Sequence, residues 1–155
     1  RFCNHRVRSG HPERPERIEV LVEALRRSGL VERCVPITPR PASLEWIESN
    51  HDPLYIDRVR RACAGGHEII DCVDSSISPE SYETALLATG SVLEAVDGVM
   101  SGSVRNAFCA VRPPGHHAEY GESMGFCLFN SVAVAARYLM ARYGIERVLI
   151  FDWDV

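Results

Sequence analysis

Two imidazoles stand side by side, His116 and His117, in the stretch AVRPPGHHAEYGESMGFCLFN (residues 110–130), and two carboxylates stand two residues apart, Asp152 and Asp154, in DWDV. Side chains alternate along extended backbone, so Asp152 and Asp154 point to one side and Trp153 to the other. Neighbouring carboxylates repel one another unless a metal, an imidazolium or an ordered monovalent cation lies close by. Imidazoles move protons near neutral pH or bind divalent metals. By residue type alone all four groups are candidate ligands of one divalent metal; the plain alternative is a solvated strand end beside a surface turn.

The loop carrying the histidines is stiff. Pro113 and Pro114 restrict its backbone and Gly115 lets it turn sharply. Beyond the histidines, Gly121, Met124, Gly125 and Phe126 suit a narrow slot with an aromatic wall, although Phe126 serves equally well as core packing. Arg17, near the start of a helical pattern, reads by itself as part of a solvated helix face.

The elements that must position these groups are legible in outline. Ile18, Leu21, Val22 and Leu25 recur at helical spacing after HPERP, with Pro15 in the first turn and Gly29 at the stop. A second helix follows HDP: Asp52 caps it, Pro53 starts it, Ile56, Val59 and Cys63 share a face, and Gly65 and Gly66 end it. The longest helix is expected from Ser78, with an apolar stripe of Tyr82, Leu86, Thr89, Leu93, Val96 and Met100 that needs a partner surface. Residues 107–111 (AFCAV) and 147–151 (RVLIF) read as strands flanking a largely buried helix at 129–144. That order predicts a β–loop–α–β unit with parallel strands and a right-handed crossover. Ligands of such sheets bind beyond the carboxyl ends of the strands, where both the His116–His117 loop and the Asp152–Asp154 segment begin.

Composition narrows the class. The 155 residues, 46% hydrophobic and 25% charged, fit one globular domain. A net charge of −4 gives no general footprint for nucleic acid, and Arg1, Arg6, Arg8, Arg14 and Arg17 against Glu13 and Glu16 form a local cluster only. Direct nucleic-acid binding is therefore not expected. The six cysteines form no Cys-x-x-Cys and no compact framework, so reduced thiols and a cytoplasmic location are expected, or a nuclear one where the cell has a nucleus. No apolar run is long enough to span a bilayer, and no membrane association is expected.

The segments GHPERPERIEVLVEAL, HDPLYIDRV, SPESYETALLATGSVLEAVD, AVRPPGHHAEYGESMGFCLFNSVAVAARY and VLIFDWDV resemble, in order and spacing, the histone deacetylase superfamily of zinc-dependent amidohydrolases. His-His directly after Gly is more similar to the class II enzymes and their bacterial relatives, acetylpolyamine amidohydrolases included, than to class I. The resemblance implies an arginase/deacetylase-like three-layer α/β/α fold with a mainly parallel sheet, of which residues 1–155 would be a partial catalytic domain, its N-terminal portion. It implies a zinc cofactor, a structural potassium ion, and an acetylated lysine or acetylated small amine as substrate.

Site residues follow from the same likeness. His116 and His117 match the tandem catalytic histidines, which are not zinc ligands; the second is the general base. Asp154 matches a zinc-binding carboxylate, and Asp152 matches the residue that orients His116 and shares the potassium site. Gly125 and Phe126 match the substrate tunnel, and Arg17 the acetate-release path, in place of the solvated face read above. His51 and Tyr55 are assigned structural roles. The remaining zinc ligands and a carbonyl-polarising Tyr of the family pattern have no counterpart in residues 1–155, so these residues alone are expected to be inactive, and the alternative from another class is a non-catalytic fragment or binding module.

Overall fold

A computed structural model describes residues 1–154; Val155, the last residue of the expected domain, lies outside the described residues. The helices form where periodicity and capping put them. Helix α1 spans Glu16–Arg27 directly after Pro15, and Gly29 follows with φ 67°. Of its apolar face, Ile18 is buried while Leu21, Val22 and Leu25 are half-buried. A short helix α2 spans Leu44–Glu48. Helix α3 spans Pro53–Ala64; the Asp52 carboxylate accepts the Leu54 N–H at 2.9 Å, and Tyr55, Ile56, Val59 and Cys63 are buried.

The longest helix, α4, spans Ser81–Met100, three residues later than expected. Ser78 turns instead: its N–H donates to the Ser81 hydroxyl at 2.7 Å, and the Ser81 N–H donates back to the Ser78 carbonyl. The partner that the α4 stripe required is α5, Ser131–Tyr143, which ends on the left-handed Gly144. Asp97 of α4 accepts hydrogen bonds from the Tyr138 and Tyr143 hydroxyls of α5, each at 2.7 Å, and Trp46 of α2 packs edge-on against Tyr138. Val59, Ile47, Leu128, Phe129 and Val134 fill the core between these helices.

The sheet departs from the expectation. Residues 107–111 and 147–151 carry no strand pairing, so the parallel β–loop–α–β unit is not formed among the described residues. The paired strands are instead a short antiparallel hairpin, β1 (Ile69–Ile70) and β2 (Cys72–Ser76). A β-rich sequence supplies the shape of a strand but not the neighbour whose N–H and C=O groups complete its ladder. With no ladder partner, Leu149 (91% exposed), Phe151 and Phe108 face outward. Among the described residues no helix is long and apolar enough to cross a membrane.

Candidate active site

Although the expected strands do not pair, the loops leaving them meet. The Nε2 atoms of His116 and His117 lie 3.3 and 3.1 Å from the same Asp154 oxygen, Oδ2. His116 Nδ1 faces Asp152 Oδ2 at 3.5 Å, and the Asp152 carboxylate also accepts the Asp154 N–H at 3.0 Å. The two rings stand edge to face with centroids 4.2 Å apart. All four side chains are partly exposed, and the group opens into a cleft of about 300 Å³. That cleft gathers His116, His117, Asp154, Gly125, Phe126 and Arg17; Asp152 reaches it through His116.

Close packing sets the histidine loop. Gly115 lies against the start of α5: a Cβ there would fall 2.4 Å from the Phe129 carbonyl oxygen. Gly125 has φ 55°, and a Cβ on it would fall 2.4 Å from Cδ2 of His117, so the backbone at Gly125 seats the imidazole directly. Phe126 also takes a left-handed backbone, φ 69°, which swings its ring onto His11 in an edge-to-face contact at 4.9 Å. Phe126 lines the cleft beside His117 and Gly125.

Several residues around the cleft carry no chemistry-bearing signal in the sequence. His11 is buried; its Nδ1 accepts the Glu13 N–H, which leaves Nε2–H to donate to the Asp74 carbonyl at 2.9 Å. Glu13 forks onto Arg112 through two bonds of 2.5 and 2.8 Å, both side chains being buried. His5 stands 3.4 Å from the same carboxylate and exchanges a 2.6 Å hydrogen bond with Ser81. Burial pushes the Glu13 carboxyl up, but the hydrogen bonds from His5 and Arg112 and the guanidinium charge outweigh it and hold it down at about 2. Burial lowers His5 below the usual imidazole range. Asp71, at the left-handed turn between β1 and β2, takes two bonds from Arg58 and the Ser123 N–H, which fastens the chain just before Gly125.

His51 and Tyr55, read from the sequence as structural, are both buried. The Tyr55 hydroxyl donates to the Leu128 carbonyl at 2.6 Å, and burial drives that phenol well above its usual range. His51, fully buried and held low by desolvation, accepts the Asn130 N–H at Nε2.

One carboxylate oxygen of Asp154 and one nitrogen each of His116 and His117 lie within 4.8 Å of one another; the carboxylate is an oxygen donor of the kind zinc takes, and the two imidazoles beside it are placed to exchange protons with a group held there.

Residues 11–155 match the family described as "Histone deacetylase domain". The human "Polyamine deacetylase HDAC10" is 38% identical over 148 residues, covering 92% of this chain and 22% of that protein. The Pseudomonas aeruginosa "Histone deacetylase-like amidohydrolase" is 40% identical over 148 residues, covering 95% and 38%. The crystal structure of the HDA15 HD domain matches with a TM-score of 0.84 at 32% identity, covering 90% of this chain and 41% of that one. The chain thus spans about a fifth to two fifths of the proteins it matches. With the family pattern running from His11 onward and the same fold over nine tenths of its length, this chain belongs to the histone deacetylase family.

Proposed function

We propose that this chain is the N-terminal portion of the catalytic domain of a zinc-dependent amidohydrolase that removes acetyl groups from N-acetyl-lysine, with further metal ligands supplied from outside residues 1–155. The observation that supports it most is the convergence of His116, His117 and Asp154 in one cleft with Gly125, Phe126 and Arg17.

Asp154 would hold the zinc ion, which supplies Lewis acidity towards water and the amide carbonyl. His117, half-exposed in the cleft, accepts a proton at Nε2 from the attacking water and returns it to the departing amine; a positioned general acid–base is worth about 10²–10⁴-fold. His116 stays oriented because Asp152 faces its Nδ1, and adds hydrogen bonding and charge beside the reacting carbonyl. The Phe126 ring excludes water along the alkyl stem, and the Gly125 carbonyl accepts the substrate amide N–H. Arg17, at the same cleft, receives the liberated acetate through its two-pronged guanidinium. Buried Cys63 and Cys127 thiols, pushed up by desolvation to about 11 and about 12, behave as apolar core groups; a cytoplasmic or nuclear location is part of the same proposal and rests on the absence of a Cys-x-x-Cys or a compact cysteine framework in the sequence.

A second reading, an acetylpolyamine amidohydrolase, is favoured by the likeness to a polyamine deacetylase. The test is zinc content and turnover of the full-length protein on an acetyl-lysine peptide and on acetylspermidine in competition. Preference for the peptide supports the first reading and preference for acetylspermidine the second. A zinc-free protein that hydrolyses neither sinks both. Residues 1–155 alone should turn over neither.

A further inference from the structure

Asn130 begins α5 and uses every polar atom it has. Its Oδ1 accepts the Ala133 N–H at 3.0 Å, which caps the helix. Its Nδ2 donates to the carbonyls of His116 at 3.1 Å and Ala118 at 3.2 Å, one on each side of His117. Its own backbone N–H donates to the fully buried His51. A flipped carboxamide would set an oxygen against two carbonyl oxygens and an NH2 against the Ala133 N–H, so the assignment is unique.

The cap does not explain the residue type. Asp or Ser caps a helix as well as Asn does, and Asp is the better choice beside the helix dipole. What Asn has and they lack is the NH2 that reaches the two loop carbonyls. The same turn is closed by the Ala118 N–H donating to Gly115 at 3.1 Å, and Gly115 itself touches the backbone on both sides of Asn130. The carbonyls of 116 and 118 are thus held at the start of α5, while both imidazoles meet Asp154.

We propose that Asn130 is a positioning residue for His116 and His117: its carboxamide NH2 sets the orientation of the tandem-histidine turn, independently of its capping of α5. This rests on the reading of the two histidines as the proton-transfer pair.

The test is Asn130→Asp in the full-length protein, which keeps size and cap but turns the donor into an acceptor, with Asn130→Ser as a second cap-retaining variant should the first not fold. The expected result is kcat on the acetylated substrate down about 10- to 100-fold with KM within about twofold, because a misplaced catalytic group weakens the transition state rather than ground-state binding. Amide exchange over residues 115–118 in the metal-free protein should quicken while the α5 amides stay protected. Wild-type kcat with unchanged exchange would overturn the proposal. So would parallel loss of helix protection and activity, the signature of a cap alone. If the wild type turns over neither acetylated substrate, the enzyme reading fails separately, and the exchange comparison still decides: quicker exchange confined to 115–118 supports the positioning role, and unchanged exchange overturns it.

Discussion

Arg112 and Glu13, 99 residues apart in the chain, form a two-bond fork inside the protein at 2.5 and 2.8 Å. The pair ties the start of the His116–His117 loop to the turn that enters α1, and Arg112 also donates to the Phe2 carbonyl at 2.9 Å. Removing one member leaves the other buried without its charged fork partner, Glu13 keeping only His5 and Arg112 only the Phe2 carbonyl. Arg112→Ala or Glu13→Ala should each lower unfolding free energy by roughly 3–5 kcal/mol. The double variant should cost clearly less than the two single losses added, as read by denaturant melts in a double-mutant cycle. Additive losses would mean the fork contributes nothing as a pair.

The same carboxylate sets an acid limit. Glu13 titrates lower in the folded than in the unfolded chain, so its contribution is complete above its ordinary value of 4.5 and is lost as pH falls towards about 2. Buried His5 and His51 are also lowered, so the unfolded chain takes up their protons first and stability begins to fall below about 6.5. All three act in one direction. Thermal midpoints should decline from pH 6.5 downward and steepen below 4.5, and Glu13→Gln should flatten the lower part of that curve.

Gly125→Ala separates seating of the His117 ring from general loop tolerance. The added methyl would meet His117 at 2.4 Å from a left-handed backbone, so the imidazole must move away from Asp154. A stability loss of about 1–3 kcal/mol and a fall in kcat are expected. Gly121→Ala is the control: nothing lies within 4 Å of its Cβ position, and its effect should stay within about 0.5 kcal/mol.

For the chemistry itself, His117→Ala in the full-length protein should reduce kcat about 10²–10⁴-fold without a loss of folding, since the side chain is half-exposed. Asp152→Asn keeps the shape beside His116 but removes the charge facing Nδ1, and its kcat should fall less than that of His117→Ala. Steady-state kinetics and a thermal melt on each variant check both statements; an Asp152→Asn enzyme slower than His117→Ala would reverse the assignment of roles.

The sequence by itself located helices α1, α3, α4 and α5 and named the residues proposed as the reacting groups. Helical periodicity, Asp52 before Pro53, and Gly144 after Tyr143 are local signals, complete within a few residues, and the chain folds accordingly. The types and order of His116, His117, Asp152 and Asp154 likewise carried their chemistry and pointed to one shared edge. Tertiary structure decided everything that depends on a distant neighbour. Residues 147–151 have the composition of a strand, yet a ladder needs a partner backbone that composition cannot provide. The Glu13–Arg112 fork joins residues 99 apart in the chain, and Phe126 meets His11 only in the folded protein. Asn130 falls within the expected helical segment 129–144, but its second task exists only because folding brings two carbonyls to its free NH2.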